Sequence, residues 1–259
     1  MKQRTMTFLS GFALSGILML AACQSSREMP KVVEATGSVI EVNSSWDAHP
    51  DAEAVALLAP YKAHIDSLMY AVVGVSEMTM KSGRPESLLS NLVADVLRGA
   101  AAKVQGKPAD MGLVNMGGLR NILSAGNITC GAIYEILPFE NSLCVITVKG
   151  AALKRIFAAI AEKGGEGVSG VKLEITPGRM LSKATIGGKP VEDEKLYTVA
   201  TIDYLADGND GMSAFVPPVK RICPEGATLR DLFMDYVKQQ TKEGKKVTSR
   251  MEGRVTINQ

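Results

Sequence analysis

Three short stretches of this sequence combine residue types that packing alone does not demand. Residues 115–120 read Asn-Met-Gly-Gly-Leu-Arg, directly after the apolar run 111–114. Glycines such as Gly117 and Gly118 let the backbone approach a ligand closely. The Asn115 amide offers both a donor and an acceptor, and the Arg120 guanidinium is a fork suited to phosphate or carboxylate. Paired glycines after a strand are also ordinary turn chemistry, so the stretch by itself admits both readings. The second stretch, Leu137-Pro138-Phe139, leads into Glu140-Asn141. A phenylalanine in that setting is either an exposed stacking face or a core side chain. In the third, residues 201–211, Asp203, Asp207 and Asp210 crowd around Tyr204, with Gly208 and Gly211 between and after them. Such a loop can hydrogen-bond sugar hydroxyls beneath a stacked ring. A calcium reading fails, because the acidic positions do not follow the EF-hand order and no bidentate Glu closes the loop.

Holding these loops requires a scaffold, and its pattern is legible. Residues 52–68 place Val55, Leu58, Ile65 and Leu68 at helical spacing, which predicts an amphipathic helix interrupted or bent near Pro60. Asp47 or Asp51 would cap it. Residues 86–104 predict a second helix with Leu88, Leu89, Leu92, Val93, Val96 and Leu97 on one face. A third is expected over 151–161 and a fourth over 228–239, the latter presenting Leu229, Leu232, Phe233 and Tyr236. Between them lie β-rich runs at 111–114, 143–148, 171–175, 196–201 and 254–257. Strands alternating with helices at this spacing predict a mixed α/β (α+β) domain. Gly-Gly pairs at 164–165 and 187–188 punctuate it, the second as a turn. With no internal repeat and no low-complexity linker, the reading is one domain behind a leading arm.

Ahead of that arm, Lys2 and Arg4 precede an apolar run, residues 8–22, that is short for a membrane span. This pattern predicts an export signal. Its end, Leu20-Ala21-Ala22-Cys23, resembles the bacterial lipobox, which implies cleavage and lipid attachment at Cys23. An ordinary soluble signal peptide with a chance cysteine is the alternative. The expected division is a signal at 1–22, a tether at 23–44, a linker helix at 45–75 and the domain at 76–259. A lipid-anchored place in the bacterial cell envelope follows. The full chain carries 29 basic and 27 acidic residues, and removing Lys2 and Arg4 with the signal leaves 27 against 27. That neutral balance argues against nucleic acid as a partner, since a binder needs a basic stripe to displace counterions. Three cysteines remain, Cys130, Cys144 and Cys223, an odd number that fits no zinc template. Cys144, inside the apolar run 143–146, reads as a buried free thiol.

Taken together, the three loops resemble the carboxy-terminal substrate-binding domain of the 5'-nucleotidase family. The family's opening helix is similar to Glu86-Ser87-Leu88-Leu89-Ser90-Asn91-Leu92. Its glycine loop resembles residues 115–120, its Leu-Pro-Phe resembles residues 137–139, and its aromatic loop ending Gly-Asp-Gly resembles residues 204–211. Residues 51–74, the helix entry Lys149-Gly150-Ala151-Ala152-Leu153 and the closing Gly253-Arg254-Val255 also fit. The resemblance implies that Phe139 and Tyr204 sandwich a nucleobase, Asp210 accepts from ribose hydroxyls, Asn115 contacts the base and Arg120 faces phosphate. Departures are visible: Met116 and Asn209 replace glycines, and Tyr204 stands where phenylalanine is usual. The family's arginine before its Glu falls on Pro85, with Arg84 one place earlier.

The resemblance also implies what should sit elsewhere. Family members hydrolyse phosphate esters with two metal ions held in a separate amino-terminal domain. This chain has two histidines, His49 and His64, and only Asp47-Ala48-His49 echoes a metal motif of that domain. A two-metal centre needs a larger ligand set, so Asp47 reads as a cap or linker residue. No Gly-x-Ser-x-Gly elbow is present for nucleophilic chemistry. The expectation is therefore a nucleotide- or nucleoside-binding domain that binds no cofactor of its own. Divalent metals would sit in a separately encoded phosphoesterase partner. A capture lipoprotein that does no chemistry is the second reading.

Overall fold

The computed structural model describes residues 37–258. The predicted signal, Cys23 and the first part of the tether lie outside the described residues. The chain divides into two compact units at Ala54 and Val55. In the first, Ser44–Ala48 form a 3-10 turn whose cap, Asn43, accepts from the Ser45 N–H. Helix α1 (Ala52–Met69) begins there, with Asp51 accepting from the Ala54 N–H at 2.9 Å. The helix runs through Pro60 without a break and buries none of its residues.

From Val55 onward, helices and strands alternate as the periodicities predict. They are β1 (Val72–Ser76), α2 (Leu88–Ala100), α3 (Ala102–Gln105), β2 (Met111–Val114), β3 (Gly126–Thr129), α4 (Cys130–Ile136), β4 (Leu143–Lys149) and α5 (Gly150–Glu162). Then come β5 (Gly167–Ser169), β6 (Val171–Ile175), β7 (Leu181–Ile186), β8 (Lys189–Pro190), β9 (Leu196–Ile202), α6 (Asp203–Ala206), β10 (Lys220–Ile222), α7 (Leu229–Lys242) and β11 (Val255–Ile257). The expected helix over 86–104 is two helices, because the chain turns at Ala101 between α2 and α3. Ser87 caps α2 by accepting from the Ser90 N–H.

The central sheet has the order β10-β4-β9-β2-β5. Only β9 and β2 run parallel; β4 pairs antiparallel with β9, and β5 with β2. A second sheet has the order β11-β6-β7-β8, β1 pairs with β3 in a two-stranded sheet, and Ser76 at the end of β1 bridges to Val247. Helix α2 lies directly on β2, close enough that a Cβ on Gly112 would meet the Ala94 carbonyl oxygen at 2.3 Å. Glycine is needed there for helix and sheet to touch. Phe157, Phe215 and Phe233 are fully buried in the same core.

The opening-helix and closing motifs form a structural clamp. The buried Glu86 carboxylate accepts from the Asn91 side chain at 2.6 Å and from the backbone N–H groups of Glu252 and Arg254 at 2.9 Å each. Arg254 donates to both Asp95 oxygens at 2.8 Å, tying the carboxy-terminal segment to α2. Such bidentate, charge-assisted bonds hold geometry as well as energy. The free-thiol reading of Cys144 is corrected: Cys144 forms a disulfide with Cys223, and among the described residues Cys130 is the free cysteine. Strand β10 lies beside β4 in antiparallel register, which carries residue 223 to the side of residue 144.

Candidate functional site

The register of the central sheet brings the three loops to one end. Because β2 and β9 are parallel, the residues after Val114 and after Ile202 leave the sheet on the same side. Leu143 at the start of β4 sits opposite Ile202, so residues 137–142 arrive at that side too. Gly167 at the start of β5 sits opposite Val114, which adds the segment 163–166. Ligands of open α/β sheets bind in such a crevice, beyond the carboxyl ends of parallel strands.

Asn115 leaves β2 in an extended conformation and a single 3-10 turn, Met116–Gly118, follows. Its side chain is buried, with 7% exposure. Asn115 Nδ2 donates to Asp210 Oδ2 at 2.7 Å, across 95 residues. A carboxylate only accepts, so the amide nitrogen must face Asp210 and the oxygen is fixed by elimination. Asn115 Oδ1 is buried and has no hydrogen-bond partner. It faces Gly118, where a Cβ would lie 2.9 Å from it. Met116, the departure from the glycine pattern, is buried in the interior instead of covering the loop. Arg120 is exposed and donates to the Gly117 carbonyl at 3.3 Å. The Arg120 N–H donates to the Ile136 carbonyl at 2.9 Å, coupling this loop to the segment before Phe139.

Phe139 is 47% exposed and Tyr204 is 42% exposed, so neither ring is a core side chain. Leu137, by contrast, is buried and anchors the Leu-Pro-Phe turn. Phe139 shares a narrow pocket of about 10 Å³ with Val114, Asn115, Gly118, Asn141 and Ile202. Tyr204 lies in α6, right after β9, and its carbonyl accepts from the Asn209 side chain at 2.9 Å. Asp210 adopts a left-handed backbone conformation, φ 55°, between Gly208 and Gly211 at φ 90° and 78°. Aspartate tolerates that region better than most residues, and the turn points its carboxylate at Asn115 and Lys163.

Five charged residues outside the predicted set hold these loops. Glu166, with 1% side-chain exposure, accepts from the Met116 N–H and from Arg84 Nη2 at 2.7 Å. Lys163 lies 3.3 Å from Asp210 and 3.9 Å from Glu166, joining the two carboxylates. Arg84 also donates to the Gly165 carbonyl at 2.8 Å. Arg230 donates to the Pro138 carbonyl at 3.3 Å, lies 3.4 Å from Glu140 and stacks over the Tyr134 ring at 4.1 Å. Arg221 pairs with Asp207 at the far side of the Tyr204 loop. The sequence signal for two of them was the run Lys163-Gly164-Gly165-Glu166, where opposite charges flank glycines just before an apolar strand. The others depend on contacts across 80 or more residues for Arg84 and Arg230.

Elsewhere, a groove of about 700 Å³ lies between α2 and α7, floored by Val96, Ala100, Leu232 and Tyr236. Burial raises the Tyr236 hydroxyl above its ordinary pKa there. Within the groove, Asp95 is committed to Arg254, and Lys103 lies 4.0 Å from Asp235. Among the described residues, no cluster of three or more His, Cys, Asp or Glu could hold a metal ion.

The chain is 29% identical over 234 residues to Cell wall protein Lmo0130 of Listeria monocytogenes, a match spanning 79% of this chain and 29% of that protein. It is 29% identical over 190 residues to Protein UshA of Yersinia enterocolitica, covering 70% of this chain and 34% of that protein. It thus spans about a third of the length of these relatives. A 5'-nucleotidase precursor from Thermus thermophilus superposes with TM-score 0.68 and 26% identity, over 79% of this chain and 43% of that one. The family described as 5'-nucleotidase, C-terminal domain matches residues 69–217, more than half of the sequence and all three loops. The chain belongs to the 5'-nucleotidase C-terminal domain family.

Proposed function

We propose that this chain binds the nucleoside part of a nucleotide and presents the phosphate to a separately encoded, dimetal phosphoesterase. Phe139 and Tyr204 would sandwich the base, Asn115 Oδ1 would accept a hydrogen bond from it, Asp210 would accept from ribose hydroxyls and Arg120 would face the phosphate. The observation that carries this reading is the buried, unpartnered Asn115 Oδ1. An acceptor left without a donor in the interior costs on the order of 1–3 kcal/mol, and a base N–H would supply the missing donor. Two half-exposed rings on the neighbouring loops suit stacking, which tolerates any base and contributes about 1–3 kcal/mol each.

The chemistry itself belongs to the proposed partner, because the whole sequence contains only two histidines and lacks the family's metal motifs. We further propose a cell-envelope location with a lipid on Cys23. The signal-like segment supports it, and so does similarity to a protein named for the cell wall.

Titration of the purified domain with a panel of nucleosides and nucleotides tests the binding reading. Saturable binding that weakens in Asn115→Ala supports it, and no binding by any member of the panel refutes it. Phosphate release with manganese, zinc or cobalt is expected only when a metallophosphoesterase partner is added. Binding without release in the presence of every candidate partner would favour the capture reading.

A further inference from the structure

At the opposite end of the central sheet, where β2 and β9 begin, two hollows of about 300 Å³ and 170 Å³ meet at Arg98 and Gly187. Asp110, just before β2, and Leu196 and Tyr197, which open β9, line the smaller one. Arg98, near the end of α2, is half-buried. Its Nε donates to the Ala109 carbonyl at 2.9 Å, and a Cβ on Gly170 would lie 2.8 Å from that nitrogen. The guanidinium is thus seated against backbone that only glycine leaves open. Its two terminal nitrogens, Nη1 and Nη2, have no protein acceptor among the described residues.

The charges around Arg98 are one-sided. Arg254 in the larger hollow is taken by Asp95 and Glu252, and Lys195 in the smaller one by Glu192 at 3.6 Å. Arg98, Lys172 of the larger hollow and Lys189 of the smaller have no ion-pair partner among the described residues. Asp110 alone stands against them, and its Oδ2 already accepts from the Thr198 N–H and hydroxyl at 2.8 and 2.9 Å. Three cations against one acid leave two positive charges over. A guanidinium drawn partly out of water without a carboxylate is costly until an anion completes it.

We infer that Arg98 is the centre of an anion-binding site whose ligand is a diphosphate group, one phosphate on each side of the guanidinium. A single carboxylate carries one charge and is satisfied by the fork alone. Two hollows that each bring a lysine suit two charged groups on a short bridge, and lysine binds phosphate as a point charge. The site lies at the other end of the sheet from the nucleoside loops and does not depend on that reading.

Calorimetric titration of the purified chain with pyrophosphate, orthophosphate and malonate tests this, beside flotation with phosphatidylcholine vesicles with and without a polyprenyl diphosphate. Saturable pyrophosphate binding is expected, weakened about tenfold or more in Arg98→Gln, the effect of losing a charge-assisted bond. The double variant Lys172→Gln, Lys189→Gln alters two exposed side chains and should weaken binding about tenfold with the melting temperature unchanged. It decides the matter if Arg98→Gln does not fold. Arg98-dependent binding of pyrophosphate assigns a soluble ligand and binding of the diphosphate vesicles alone assigns a lipid one, and both support the site. Equal affinity for orthophosphate or malonate overturns the diphosphate assignment. No binding in either arm, or binding lost in Arg120→Ala but kept in Arg98→Gln, overturns the site itself.

Discussion

The contact between Asn115 and Asp210 predicts what a single-atom change would do. Asn115→Asp replaces the buried amide donor, 2.7 Å from the Asp210 oxygen, by a second carboxylate. If the pair relaxes to ~4 Å, the repulsion at an effective dielectric near 20 is about 4 kcal/mol. Protonating one carboxyl is the alternative, at about 1.4 kcal/mol for each pH unit above an ordinary pKa near 4. That route costs about 5.5 kcal/mol at pH 8 and about 1.4 kcal/mol at pH 5, so repulsion dominates at pH 8 and proton uptake at pH 5. The variant should therefore lose about 4 kcal/mol at pH 8 and about 1–2 kcal/mol at pH 5 relative to the parent. The sign follows from linkage: the folded pair binds its proton more tightly than the unfolded chain, so stability is present at low pH and lost as pH rises. Adding Asp210→Asn restores an amide opposite a carboxylate and should recover most of the loss, less the part due to the Lys163 contact at 3.3 Å. Urea denaturation of the parent, the single variant and the double variant at both pH values measures this directly. Equal costs for Asn115→Asp at pH 8 and pH 5, or a double variant no more stable than the single one, would refute the contact.

Phe139→Ala and Tyr204→Ala should each weaken nucleoside binding by about 1–3 kcal/mol, roughly tenfold to a hundredfold. Because both rings are about half exposed, the melting temperature should move little; loss of stability with unchanged affinity would return them to a packing role. Cys223→Ser removes a disulfide spanning 79 residues, which the chain-entropy relation values at about 4.5 kcal/mol. The variant should match the reduced parent in denaturant midpoint, and a parent insensitive to reductant would show that the bond does not form.

Much of the scaffold was readable without coordinates. The four long helices and five of the strands follow from apolar spacing, a property of neighbouring residues that survives any tertiary context. The glycine loop, the Leu-Pro-Phe turn and the Asp-rich loop stand out for the same reason, as local departures from packing chemistry. What escaped was short or remote. Strands β1 and β3 are four or five residues each, with a glycine in both, and form a two-stranded sheet. Helix α4 is seven residues long, below the length at which periodicity speaks. The break at Ala101 comes two residues after Gly99, whose low helix propensity is the one local mark of it.

The sequence by itself determined the elements, the composition of the loops and the shortage of metal ligands, because those are matters of residue type and near spacing. Only the tertiary structure decided that Asn115 meets Asp210, that Glu166 joins Arg84 to the Met116 backbone, and that Cys144 pairs with Cys223. Each of those contacts spans 50 or more residues, closed by the register of β2, β4, β5, β9 and β10. A charge's partner cannot be read from its neighbours in the chain. Whether an arginine near a loop is free for a ligand is settled only when folding brings a carboxylate to it.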